Sequence, residues 1–93
     1  MSTERDEVAP LIGQLVVLDT ATPFLYVGTL KEWQDHFVLL ADVDVHDTSQ
    51  GRSGKEVYAL EARRAGFQRN RREVSVRKAQ VVSVSRLDDI VSY

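Results

Sequence analysis

Residues 24–45 read FLYVGTLKEWQDHFVLLADVDV. In the first run Phe24, Tyr26, Gly28 and Leu30 fall on one face, and Leu25, Val27 and Thr29 on the other. In the second run Phe37, Leu39, Ala41, Val43 and Val45 share a face, and Val38, Leu40, Asp42 and Asp44 share the opposite one. A period of two is the signature of a strand. The polar joint Glu32-Trp33-Gln34-Asp35-His36 predicts an antiparallel hairpin. Both runs exceed the common strand length of about 5–6 residues. Gly28 lies inside the first, where a glycine marks a bend or a close backbone approach. Long strands bent at a glycine are what a small, strongly curved barrel requires.

Moving outward, residues 15–18 (LVVL) form an apolar run consistent with a strand buried on both faces. Val74 and Val76 alternate with Ser75 and Arg77, and Val82 and Val84 with Ser83 and Ser85, which predicts two further strands joined by a tight turn at Lys78-Ala79-Gln80. Residues 26–43, YVGTLKEWQDHFVLLADV, resemble the first Sm motif of the Sm and Sm-like (LSm) proteins, with a glycine in the second strand, a short turn, an apolar run and a terminal Asp-Val. Residues 12–18 (IGQLVVL) resemble that family's first strand, and residues 74–84 (VSVRKAQVVSV) its second motif, whose centre is usually Ile-Arg-Gly. The resemblance implies an all-β fold: a strongly bent five-stranded barrel that assembles into rings and binds single-stranded RNA.

The 93 residues make one domain, with a tail or helical turn over 1–10 and an insertion over 47–72. A chain this short buries a modest core, so oligomerisation would help to stabilise it. There is no cysteine, which excludes disulfides and thiolate metal sites. The charged start, MSTERDE, lacks the apolar core of a signal peptide, and no apolar run approaches a membrane span of about 20 residues. A cytoplasmic protein without a membrane association is the expectation. Net charge is −2, yet residues 1–50 sum to −7 and residues 51–93 to +5. That asymmetry points to a basic face for nucleic acid or to head-to-tail self-association, unless the fold interleaves the halves and cancels the field.

Pro10 ends any helix begun at Ser2 or Thr3. After a polar loop, Ser53 and Glu56 fit a capping box. KEVYALEARRA follows, rich in helix formers, and Gly66 sits where a C-terminal cap belongs. This predicts a helix over about 54–65 between strands three and four, with a strand over 56–60 as its rival. Residues 67–72 then form a basic connector, and the end of the chain forms a helical turn or a last strand.

No Ser, His and Asp stand in a nucleophile context, and no cofactor motif is present, so an enzyme is not expected. Asp42, Asp44 and His46 alternate onto one strand face, but three ligands on one strand rarely close a metal site, and no metal is predicted. The sharper expectation comes from the resemblance, in which a base stacks beside the turn after strand two and an Arg of the second motif reads it. Here His36, Phe37, Arg77 and Lys78 occupy those positions, although periodicity alone reads Phe37 as a core residue. Two positions depart from the family pattern. The family's Asn after Phe37 has no counterpart, since Val38 follows directly and one residue is missing, and Lys78 replaces the Gly after the Arg, which together predict weak or absent base-specific binding. Arg63, Arg64, Arg69, Arg71 and Arg72 form a second basic candidate, read first as a solvated face offset by Glu56, Glu61 and Glu73. Trp33, at the hairpin tip, either contacts a partner or folds back under the helix. The partners expected are a second copy of the chain, through edge strands carrying Val74, Val76, Val82 and Val84, and single-stranded RNA. A small-barrel interaction module without RNA binding is the alternative.

Overall fold

The computed structural model describes residues 3–49 and 54–91. Helix α1 (Thr3–Val8) runs into a 3₁₀ turn at Ala9–Leu11, where Pro10 ends the α-helix. Strands β1 (Leu15–Thr20), β2 (Phe24–Trp33) and β3 (Phe37–Asp47) follow, then helix α2 (Lys55–Ala65) and strands β4 (Arg71–Arg77) and β5 (Val81–Arg86). Lys78–Gln80 and Leu87–Asp89 are further 3₁₀ turns. The five strands form one antiparallel, bent sheet in the order β4-β3-β2-β1-β5. Among the described residues β4 pairs only with β3 and β5 only with β1, so the barrel is open and both outer edges are free.

The bend has a specific origin. Val27 pairs with Asp44 and Thr29 with Ala41, so two residues of β3, Asp42 and Val43, oppose the single Gly28. Asp42 has a positive φ of 52°, the left-handed conformation tolerated best by Asn, Asp and Gly. A Cβ on Gly28 would lie 3.0 Å from the Ala41 carbonyl oxygen and 3.1 Å from Val43 Cγ2, so the strands can approach only where the side chain is absent. This β-bulge shifts the phase of β3. Val38 and Leu40 face inward before it, and Val43 and Val45 after it. The single alternation expected along residues 37–45 is therefore wrong beyond Ala41. The bulge interrupts the face expected for Asp42, Asp44 and His46.

Two apolar layers result. The concave face encloses Val16, Leu18, Leu30, Val38, Leu40, Val43 and Val76, capped by Val8 of α1. Its large side chains are fully buried, each contributing about 1.5–3 kcal/mol. The other face of β1 and β2 presents Val17, Leu25 and Val27 to Ala59 and Ala62 of α2 and to Leu87 after β5.

The insertion is helical, and the rival strand is ruled out. Gly54 holds the N-cap position, its carbonyl accepting from the Tyr58 amide at 3.0 Å, while the expected cap Ser53 lies outside the described residues. Gly66 closes the helix at φ +85°, donating its amide to Ala62 O. The Tyr58 ring stacks on His46 of β3 at 3.9 Å between centroids. Lys55 ties the start of α2 to the β1–β2 turn: its Nζ donates to Asp19 Oδ1 (2.6 Å), Thr20 O (2.8 Å) and Thr22 O (2.7 Å).

Candidate nucleic-acid interface

The β2–β3 and β4–β5 turns meet at one end of the barrel. The Lys78 amide donates to His36 O at 2.9 Å, and Phe37 pairs across the ladder with Arg77. His36, Phe37, Arg77 and Lys78, separated in sequence by the whole insertion, thus line one open pocket of about 560 Å³ with Glu4, Asp35 and Ala79. The Arg77 guanidinium carbon lies 5.7 Å from the Phe37 ring centroid, within cation–π range. Phe37 is 37% exposed, so the core reading of this residue is wrong. It shares its face with Leu39, while Val38 and Leu40 fill the interior.

Charge in the pocket is mostly matched. Lys78 Nζ donates to Glu4 Oε1 at 2.7 Å and to Gln34 O at 3.0 Å, over the Trp33 ring at 5.6 Å. Trp33 Nε1 donates to the same Glu4 oxygen at 3.0 Å, so the indole is held by α1 rather than by the insertion helix. The Lys78 hydrogen bond, and after it that of Trp33, holds the Glu4 carboxyl below its ordinary value of 4.5. Asp35 pairs with Arg5 at 2.7 Å on the surface. Arg77 is the pocket's one cation without a carboxylate partner among the described residues. Val38, which follows Phe37 directly where the family's Asn has no counterpart, is fully buried and presents nothing to the pocket. Glu4, Gln34 and Trp33 escaped sequence reasoning as parts of this site. The link of Glu4 to Lys78 depends on docking α1, 74 positions away, and those of Gln34 and Trp33 on the meeting of the two turns, and no local pattern announces them.

The five arginines of the basic candidate fall on three elements: Arg63 and Arg64 in the last turn of α2, Arg69 in the connector, and Arg71 and Arg72 at the start of β4. All are exposed, and among the described residues none pairs with a carboxylate, so the expected offset by Glu56, Glu61 and Glu73 is not made by ion pairs. Arg69 sits 4.8 Å from the Phe67 ring centroid, and Arg71 Nη1 donates to Asn70 O.

The valines expected at the subunit interface need correction. Val76 is 5% exposed, and Val74 and Val84 pack against the concave core, because period two points them into their own barrel. Val82 alone of the four is open, at 64%. What the edges offer is backbone. The Asn70 amide donates to Val43 O of β3 and the Lys78 amide to His36 O just before β3, so by alternation the even-numbered amides of β4 face inward and those of Arg71, Glu73, Ser75 and Arg77 face the free edge.

Among the described residues no group of three His, Asp or Glu is placed to hold a metal ion, and no helix is long and apolar enough to cross a membrane. Asp44 accepts from Asn70 Nδ2 at 3.1 Å, and burial raises its pKa against the lowering effect of His46.

The sequence matches no family model and no curated protein. Among solved structures the chain is similar to the Sm protein of Pyrococcus abyssii in complex with a uridine heptamer, at 18% identity and a TM-score of 0.57, covering 87% of this chain and 93% of that one. It is also similar to the SmAP (LSm) protein of Methanococcus vannielii, at 22% identity and a TM-score of 0.57, covering 91% of this chain and 99% of that one. The strand order, the glycine-centred bend and the nearly full-length superposition agree on one conclusion: this chain has the Sm fold.

Proposed function

We propose that this protein assembles edge to edge into a ring and binds single-stranded RNA weakly, with one base lodged beside Phe37 and the adjacent phosphate on Arg77. In this reading it is a cytoplasmic binding module rather than an enzyme. The observation that carries it is the convergence of Phe37 and Arg77 in an open pocket between two turns. A partly exposed aromatic face with a guanidinium beside it is the usual means of holding an unpaired base and its phosphate. The uridine heptamer bound to the Pyrococcus Sm protein supports the ligand class. Weak binding follows from two features: Val38 is buried, and the Lys78 charge is already matched by Glu4. The ring follows from two different free edges, β4 and β5, which meet heterologously and close when the rotation allows.

The test is binding of a short uridine-rich oligonucleotide at low salt, read by fluorescence anisotropy. Arg77→Ala is expected to weaken it by about 1–3 kcal/mol, and Phe37→Ala by a similar amount. Absence of binding to any single-stranded RNA at low salt would leave a ring-forming interaction module. Native mass spectrometry tests the ring. Ser75→Pro removes an amide that faces the free edge and is expected to dissociate the assembly while the barrel stays folded. Val76→Pro removes an amide that faces β3 and should unfold the barrel itself.

A further inference from the structure

An open groove of about 630 Å³ runs along β5, outside the pocket described above. Ser83 and Ser85 of β5 form part of its lining, α2 contributes Glu56 and Val57, and the chain after β5 contributes Asp89 and Val91. Val57 and Val91 are about half exposed, at 52% and 51%. Lys55 and Asp19, also in the lining, are paired with each other at 2.6 Å. Glu56 and Asp89 are therefore its free charges: neither has a cationic partner among the described residues. Since β5 is an edge strand, the groove borders the free edge of the sheet.

From this geometry we infer that the groove is completed by a second copy of the chain, whose Arg71 binds to the carboxylates of Glu56 and Asp89. The inference rests on the edge-to-edge reading and adds the side chains that select the register. Every pairing within the sheet is antiparallel, and continuing that pattern sets β4 of one copy antiparallel to β5 of the next. The start of β4 then lies beside the end of β5. The start of β4 carries Arg71 and Arg72, both exposed and without a carboxylate. The end of β5 leads directly into Asp88 and Asp89. Opposite charges meet at that junction, and a register slip would set Arg71 and Arg72 against Arg86 or open strand instead. Like charges placed together across an interface select against wrong registers.

A charge exchange tests this with the full chain. Asp89→Arg and Arg71→Glu, each alone, are expected to raise the concentration at which the assembly half-dissociates by about tenfold, with a weakened salt dependence. The double variant is expected to recover assembly, because the pair is re-formed with its signs exchanged; recovery also shows that each substitution folds. Native mass spectrometry and sedimentation at tens of micromolar give the subunit number. An oligomeric wild type that neither single variant weakens overturns the groove assignment while leaving the ring intact. Single variants that weaken assembly without recovery in the double variant also overturn the pairing. A monomeric wild type overturns the ring reading and this inference with it.

Discussion

Two lysines close two turns at opposite ends of β2. Lys55 reaches from the first turn of α2 to the β1–β2 turn, and Lys78 from the end of β4 to the β2–β3 turn. Their side chains are similarly shielded, at 26% and 21% exposure, and each has one carboxylate partner. They differ in what remains available. The three donors of Lys55 meet three acceptors within 2.8 Å, so its charge and hydrogen-bonding capacity are used within the fold. Lys78 has two acceptors, one of them on a half-exposed carboxylate, and it lines the pocket with Phe37 and Arg77. A basic residue is structural or functional according to how many of its donors the fold consumes. The residue type does not decide it.

The largest expected effect is on stability. Lys55→Met should lower the unfolding free energy by about 2 kcal/mol in urea titrations, because Asp19 and two turn carbonyls lose a charged donor. Lys78→Met should cost about 1 kcal/mol, since Glu4 is more open to water than Asp19. Equal losses would erase the distinction between the two lysines. Oligonucleotide affinity should separate them the other way: Lys55→Met leaves it unchanged, and Lys78→Met lowers it less than Arg77→Ala does.

A smaller effect is expected on acidification. The folded-state pKa of Glu4 is depressed, so its pairing contributes fully above the ordinary value of 4.5 and is lost as pH falls through the depressed one. Trp33 is the chain's single tryptophan and donates to that carboxylate, so its fluorescence should shift in that acid window. Glu4→Gln should abolish the shift; a shift that persists in this variant would point to another titrating group. The smallest effect concerns salt. Glu4→Gln releases Lys78 toward a phosphate, and the slope of log affinity against log salt should steepen by about one. An unchanged slope would mean that Lys78 remains committed to Gln34 O and the Trp33 face.

Much of the architecture was legible in local pattern. Period-two runs marked the strands, the polar joint Glu32–His36 marked the β2–β3 turn, which the structure narrows to Gln34–His36, and helix formers before Gly66 marked α2. Each depends on backbone preferences within a few residues, which adjacent side chains report directly. The grouping of His36, Phe37, Arg77 and Lys78 came from resemblance to a known motif, and the ladder between β3 and β4 supplies its physical basis. Tertiary structure decided the rest. Asp42 takes a positive φ because β3 must crowd against Gly28, and that one bulge reverses which side chains after it face inward. The exposure of Phe37 depends on the same register. The partners of Lys55 and Lys78 lie 33 to 74 residues away: those of Lys55 and the Glu4 partner of Lys78 are set by how α2 and α1 dock, and the Gln34 partner by the meeting of the two turns. Apolar periodicity encodes which face of an element is buried, but polar partners are chosen only when distant elements meet, so their pairing leaves no periodic trace in the chain.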